Sequence, residues 1–403
     1  MRYHSYLNSA KKIIESFRGD LPLAGFLKKY FAANKKYGSK DRKQVAALCY
    51  NYYRLGKAIP RLPVEEKIMV AVFLCEQESN DFLDFHKPEW NEMIARPVTE
   101  KLNILGIQTA HVFPYAGELS AGIDFQPFCN AFFSQPDLFL RIRPGMKDTV
   151  IKKMQDAGLQ FEILKDEGIA LSNSTKVDAL LEMDKEVVIQ DHNSQQVLNC
   201  IKSAIHNPDG LRLLKGSDEN SESVNRHPLT VWDCCAASGG KSILANDILN
   251  GELELTVSDI REHILSNLKK RFETAGIKNY KSFIADLAVS PCPLPFTDFQ
   301  LIICDAPCTG SGTWSRTPEQ LYFFKQRKIH DYADLQQRIV SNVIPQLQKD
   351  GIFIYVTCSV FKKENEEMVN FIKEKFHLKL VQMELLKGYD KKADSMFVAV
   401  FSK

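Results

Sequence analysis

The chain has 403 residues, which is more than one ordinary core accommodates, so two or three domains are expected. A hydrophobic share of 44% and a charged share of 25% are those of a globular protein, not of a disordered or fibrous one. No apolar run approaches the ~18 residues that span a bilayer, so no membrane partner is expected.

The formal net charge of +2 hides an asymmetry. Residues 1–60 carry 13 Lys and Arg against 3 Asp and Glu, or +10, which leaves −8 for the remainder. A basic segment on a near-neutral chain suggests a polyanion such as nucleic acid. A solvated, lysine-rich helical surface is the alternative. The opening MRYHSYLNSAKKIIESFRGD has no apolar core followed by a small-residue cleavage site, so a signal peptide is not expected and a cytoplasmic protein is. The ten cysteines are scattered without CxxC spacing, so neither a zinc site nor a disulfide framework is suggested.

Residues 1–120 read as a helical domain. Apolar residues recur at helical spacing in YLNSAKKIIESF, LPLAGFLKKYFAANKKY and DRKQVAALCYNYYRLGKAI. Aromatic residues lie among the cations, but at these spacings most belong in a bundle core. Residues 121–206 read as a small α+β module, with strands at FLRIRP and VVIQD and helices at DTVIKKMQDAGL and SQQVLNCIKSAI. Residues 207–228 are polar and rich in turn formers, which suggests a linker or exposed loop.

From residue 229 to 403 short apolar runs alternate with amphipathic stretches. LTVW, LELTV, KSFIA, FQLIIC and GIFIYV predict strands, and SILANDILN, REHILSNLKKRFETAG and HDYADLQQRIVSNVIPQLQK predict helices. Alternation of this kind means βαβ units and a parallel sheet buried on both faces, an α/β Rossmann-like architecture. The last run, MFVAVFSK, is expected to close the sheet at its edge.

The first strand-to-helix junction is VWDCCAASGGKS. Small residues there let the backbone approach a ligand near the free N–H groups of a helix start. The spacing is neither GxGxxG nor GxxxxGKS, which weakens dinucleotide and P-loop readings. Two further strands end in aspartate, at Asp259 and Asp286. One aspartate after a strand is ordinarily a turn former. Three beyond successive strands, after a small-residue loop, suggest S-adenosylmethionine or another adenosyl ligand at the carboxyl end of the sheet.

The fourth strand runs into DAPCTGSGTW and the fifth into YVTCSVFKKENEE, so Cys308 and Cys358 arrive at the same rim. Carbon 5 of a pyrimidine is a poor nucleophile. Thiolate addition at carbon 6 makes it enamine-like, and a base must later remove the carbon 5 proton so that the thiol can leave. Two rim cysteines, with Asp305 next to the site to reach the ring nitrogen, suit that chemistry.

These stretches resemble the signature motifs of the RsmB/Sun/NSUN family of RNA cytosine-5 methyltransferases, whose usual forms are close to DxCAAPGGKT, DAPCSGxGTxRR and YsTCSxxxxENE. FSQPDLFLRIRP and VVIQDHNSQQV resemble the family's small RRM-like module, and KKYGSKDRKQVAALCYNYYRLGK resembles the NusB-like domain of its bacterial RsmB branch. The resemblance covers nearly the whole chain. It implies an S-adenosylmethionine-dependent enzyme, free of metal, that makes 5-methylcytosine in RNA, with 16S ribosomal RNA the expected substrate and S-adenosylhomocysteine the product. It implies Cys358 as nucleophile, Cys308 as the residue assisting release and Asp305 as the motif aspartate in both the catalytic and the cofactor set. It places the methyl donor against Cys235, Ala236, Ala237, Ser238, Gly239, Gly240 and Lys241, with Asp259 on the ribose side and Asp286 on the adenine side. A monomer is expected.

The chain departs from the pattern at Ser238, where the family usually has proline. This should loosen the loop without removing its N–H donors. Ile264 stands where an arginine is usual, and Arg261 is left unassigned. The C-terminal GFF-like stretch reads SMF, at Ser395 to Phe397. Two other readings compete. A DNA cytosine-5 methyltransferase would use its Pro-Cys cysteine as nucleophile, which leaves the TCS motif without a role. A non-catalytic RNA-binding assembly factor could retain the donor pocket alone.

Overall fold

The computed structural model describes residues 2–165, 168–201, 228–289, 292, 294–295 and 297–403. The polar stretch expected as a loop at 207–228 lies, apart from its last residue, outside them. The described chain forms two compact units. One holds residues 1–136 and 313–326, the other residues 137–312 and 327–403.

The first unit is helical, as its periodicity predicts. Helix Arg2–Ser16 buries Tyr6, Leu7, Ala10, Ile13 and Ile14, one stripe at a spacing of three and four. Helix Ser39–Arg54 buries Val45, Leu48, Cys49, Tyr52 and Tyr53, and its first turn is closed by Gly38 N–H donating to the Asp41 carboxylate (3.1 Å). Of the aromatic residues that stand among the cations, Phe31, Tyr37, Tyr52 and Tyr53 are core residues. Lys28, Lys29, Lys35, Lys36, Lys40 and Lys43 stay exposed.

Residues 313–326 belong to this unit although they follow the DAPCTGSG motif. Phe323 packs edge-on against Phe17 (5.6 Å between centroids), Tyr322 against Tyr53 (5.2 Å), and Glu319 accepts from Leu23 N–H (3.0 Å). Arg54, one of the cations counted above, is buried rather than solvated. Its guanidinium donates to the carbonyls of Phe132 (2.7 Å), Ser134 (3.0 Å) and Ser315 (2.8 Å) and to the Gln135 side chain.

The second unit contains two sheets. β1 (Leu138–Ile142), β2 (Glu162–Ile163), β3 (Gly168–Leu171) and β4 (Val187–Ile189) form an antiparallel sheet in the order β2-β3-β1-β4, with helix Lys147–Asp156 between β1 and β2. This split arrangement is ferredoxin-like. The arginines of FLRIRP join the sheet to helix Gly240–Ile248. Arg141 and Arg143 both donate to the buried Asp247 carboxylate, each at 2.6 Å.

The larger sheet comprises β5 (Leu229–Asp233), β6 (Leu253–Asp259), β7 (Tyr280–Ile284), β8 (Phe299–Asp305), β9 (Leu347–Thr357), β10 (Lys379–Leu386) and β11 (Met396–Ser402), in the order β10-β11-β9-β8-β5-β6-β7. β5 to β9 run parallel and β11 runs antiparallel to both its neighbours. Each face of the parallel strands is buried. Leu301 and Ile303 of β8 enter one layer with Val231, while Ile302 and Cys304 enter the other with Trp232. The strand order reverses between β8 and β5, and the crevice beyond the strand ends at that point is where open α/β sheets bind ligands.

Two expectations are corrected. MFVAVFSK does not close the edge: β11 lies between β10 and β9, and the edge strand is β10, whose Val381 and Met383 are exposed. An uninterrupted apolar run is the mark of an inner strand, and the edge strand pairs its backbone on one side only. The helix in HDYADLQQRIVSNVIPQLQK spans Arg327–Val343, because Pro345 has no N–H to continue it, and Leu347 already opens β9.

Arg54→Ala should leave three carbonyls without their donor at a cost of about 2–4 kcal/mol, measured as a lowered midpoint for the transition of the helical unit in denaturant.

Candidate active site at the carboxyl end of the sheet

The loop after β5 is built for close approach. Ala236 N–H donates to Ser258 O (2.9 Å) and Gly239 N–H to Ala236 O (2.8 Å), which folds the chain back before helix Gly240–Ile248. Gly239 has φ +83°, and a Cβ there would sit 2.8 Å from Phe272 and 3.0 Å from Leu268, so only glycine fits. Ala237 also adopts a positive φ, +46°. Its N–H donates to Asp259 Oδ2 (3.1 Å).

Ser238, expected to loosen the loop, is hydrogen-bonded. Its carbonyl (2.8 Å) and hydroxyl (3.1 Å) both accept from Arg271, which also grips Asp184. Arg271 thus ties the loop by hydrogen bonds at the position where proline is usual.

Asp259 ends β6. Burial works to raise its pKa, yet the Arg261 side chain, the Arg261 backbone N–H and Ala237 N–H together hold it below the ordinary carboxylate value. Arg261, left unassigned by sequence, is the direct partner of this carboxylate and is half-exposed. Asp286 lies two residues beyond β7, exposed, and accepts from Ala288 N–H (2.9 Å). It makes no bond to the other candidate residues among the described contacts.

Asp305 ends β8 and forms an ion pair with Lys241 Nζ at 2.6 Å. The carboxylate expected to face a pyrimidine ring is therefore already held by a cation. With 29% of its side chain accessible, against 11% for Lys241, Asp305 is the member that still faces outward. Burial opposes the Lys241 charge, but Asp305, Cys358 and Asp233 raise its pKa above the ordinary value, so it stays an ammonium.

Cys308 and Cys358 meet with their sulfurs 3.3 Å apart. The hydrogen bond to Cys358, then burial, push the Cys308 thiol well up, so Cys308 is the member that keeps its proton. Lys241 presents positive charge toward Cys358. The two sulfurs differ in their surroundings: Cys308 is the thiol pushed up by its neighbour and by burial, and Cys358 is the one toward which the Lys241 charge is directed.

What sets the sulfur separation is a residue that sequence reasoning missed. Glu364 is buried, and its carboxylate accepts from Thr309 N–H (2.8 Å), Thr309 Oγ1 (2.6 Å), Gln336 Nε2 (3.1 Å) and the Ser359 hydroxyl. Thr309 follows Cys308 and Ser359 follows Cys358, so one carboxylate ties both turns. Burial raises the Glu364 pKa, and these donors partly offset it. The only sequence signal was its position in KKENEE. Gly312 closes the arrangement from the other side. Its N–H donates to Cys358 O (2.8 Å), and a Cβ there would lie 2.1 Å from Ser395 O.

Whether these residues suit a bound adenosyl donor is tested by the loop itself. A small-residue turn that excludes side chains, an adjoining helix start and a buried carboxylate at the next strand end together make a cradle for such a ligand. The open sheet, its antiparallel final hairpin and this cradle define a Rossmann-like α/β domain suited to an adenosyl ligand.

Residues 224–400 match the family model described as 16S rRNA methyltransferase RsmB/F. The probable ribosomal RNA small subunit methyltransferase B of Bacillus subtilis is 24% identical over 285 residues, covering 69% of this chain and 59% of that protein. Ribosomal RNA small subunit methyltransferase F of Psychromonas ingrahamii is 30% identical over 158 residues, 39% of this chain and 33% of that protein. The chain thus spans less than two thirds of the length of these curated relatives. Among solved structures, PH0851 matches 99% of this chain and 98% of its own, with a TM-score of 0.67 and 16% identity, a likeness of fold. Over residues 224–400, somewhat under half of its length, the chain is thus similar to the RsmB/F methyltransferases.

Two outcomes are expected. Glu364→Ala strands four donors and should cost about 2–4 kcal/mol in denaturant unfolding, whereas Glu364→Gln, which retains an acceptor, should cost less than half of that. Asp233, at the end of β5, is fully buried with only Ser242 Oγ donating to it (2.6 Å), and burial pushes its carboxyl up to about 7. The folded state therefore holds a proton that the unfolded chain loses near pH 4. That stabilisation is complete below about pH 4 and lost as pH rises through 7. Asp233→Asn should flatten the fall in Tm between pH 5 and pH 8, read by thermal melts across that range.

Proposed function

We propose that the protein methylates carbon 5 of cytosine in RNA, with 16S ribosomal RNA as substrate class and S-adenosylmethionine as donor. The observation that carries this reading is the asymmetric thiol pair, 3.3 Å apart at the ends of β8 and β9, on the sheet whose β5 loop forms the donor cradle. The family and the relatives' names support the substrate class.

Bound in the cradle, the donor supplies an electrophilic methyl on a sulfonium. The chain's own residues do the rest. Ala237 N–H and Asp259 orient the ligand, and Arg261 yields one or both of its bonds to Asp259 so that ribose hydroxyls are received. Asp286 serves the adenine side. The Cys358 sulfur adds to carbon 6 of the cytosine, with the Lys241 charge directed toward it. Asp305 faces the ring nitrogen while Lys241 orients it. Once carbon 5 is methylated, a base takes its proton, the electrons re-form the C5–C6 double bond, and the C6–S bond breaks with its pair returning to Cys358, with Cys308 assisting that release from contact distance. A cytosine can reach such a site only when it is splayed out of its stack. The exposed lysines at positions 28, 29, 35, 36, 40 and 43 offer the phosphate backbone a basic face. The two partnered thiols favour catalysis over a binding-only role.

The test uses unmodified RNA, labelled donor and single variants. Cys358→Ala should form no protein–RNA adduct and no product. Cys308→Ala should form product slowly and accumulate an adduct that survives denaturing electrophoresis. The reverse pattern would overturn the role assignment, and full turnover by both variants would overturn the mechanism.

A further inference from the structure

Cys234, Cys235 and Cys304 stand apart from the reacting pair. Their three sulfurs all lie within 4.8 Å of one another, and Cys234 and Cys235 are 4.0 Å apart. The sheet explains why. Asp233 of β5 pairs with Ile303 of β8, so the next residue on each strand, Cys234 and Cys304, lies side by side, and both side chains enter the layer that holds Trp232. Cys235 turns its sulfur back toward them as the chain leaves β5. Sequence spacing conceals the group, because about seventy residues separate Cys235 from Cys304 and no CxxC pair is present.

Three thiolates around a metal at about 2.3 Å have sulfurs roughly 3.8–4.0 Å apart, whether the set is tetrahedral or trigonal. One distance here already meets that value, and the others need movements of under about 1 Å. Cys235 is the partly exposed member and gives a route of entry. Charged and titratable groups surround the cluster: Asp233 on β5, Asp305 on β8, Tyr355 on β9 and Arg261 beyond β6. The carboxylates oppose three bare thiolates but tolerate a cation at their centre. Cys304 is drawn below its ordinary pKa because Cys234 and Cys235 both donate toward it, against the effect of burial.

We propose that Cys234, Cys235 and Cys304 form a three-thiolate site for one soft d10 cation such as Zn(II) or Cu(I). Soft thiolate sets select these ions. Binding Zn(II) exchanges three thiol protons for the metal and leaves a complex of charge −1, with the protons passing to solvent. No electron is transferred. The site shares Cys235 with the donor loop, but no step of the methylation chemistry proposed above uses its three sulfurs.

The full chain carrying Cys308→Ser and Cys358→Ser, which removes the other close pair of sulfurs, is freed of metal with a chelator. It is then titrated with Cd(II) as a spectroscopic probe and with Zn(II) and Cu(I) in competition. The expected result is one equivalent per chain, an ultraviolet thiolate-to-metal band and a rise in Tm. Adding Cys304→Ala or Cys234→Ala should abolish the stoichiometric band, while adding Cys129→Ala, buried in the other unit, should leave it unchanged. Circular dichroism checks that each variant is folded. Absence of a band at one equivalent in the parent overturns the proposal, and so does a band that survives loss of both Cys234 and Cys304. Neither result bears on whether the enzyme methylates RNA.

Discussion

The rim of this domain depends on one buried carboxylate. Glu364 takes four hydrogen bonds from three elements: the turn after β8, the turn after β9 and helix Arg327–Val343. A buried charge is costly unless its lone pairs are all used, so each donor is held as firmly as the carboxylate is desolvated. Thr309 and Ser359, each next to a cysteine, cannot drift apart without stranding that charge. The 3.3 Å separation of Cys308 and Cys358 is therefore a property of a network, set before any substrate arrives. Gly312 adds a second tie by bonding Cys358 O where no side chain fits.

The donor side is organised by a different balance. Asp259 and Asp305 are each occupied by a cation in this state, Arg261 and Lys241 respectively. These pairs differ in what they can release. Arg261 is half-exposed, so its bonds to Asp259 exchange readily with water or ligand, as exposed ion pairs contribute little. Lys241 is enclosed and cannot leave Asp305 without losing its counter-charge. The Asp259 pair is thus open to solvent through Arg261, while the Asp305 pair is closed on its Lys241 side. Arg271 anchors the loop between them through Ser238.

The covalent path also matters. The chain passes from Cys308 through Gly312 directly into residues 313–326, which belong to the helical unit, and then re-enters the catalytic unit at Arg327. Arg54 holds Ser315 O within the helical unit. The two units are thus joined by several chain passages, one of them four residues from Cys308.

Much of the architecture was legible in the residues themselves. Short, β-branched apolar runs such as LIIC suit strands buried on both faces, and their alternation with amphipathic stretches points to a parallel sheet. The small-residue loop, the aspartates at strand ends and the two rim cysteines follow from local spacing and motif. What sequence could not supply are relations between distant segments. The place of β11 inside the sheet depends on β10 pairing along its far side, and an edge strand with exposed Val381 and Met383 carries little periodic signal. Arg271 bonds Ser238, where proline is usual, from helix Glu262–Ala275, Glu364 reaches back about fifty-five residues, and Cys304 joins two cysteines some seventy positions away. Sequence determines which side chains each element presents, because the periods of strand and helix are local. Only the tertiary structure decides which of them share a buried, low-dielectric space, and that sharing sets their charge and their reach.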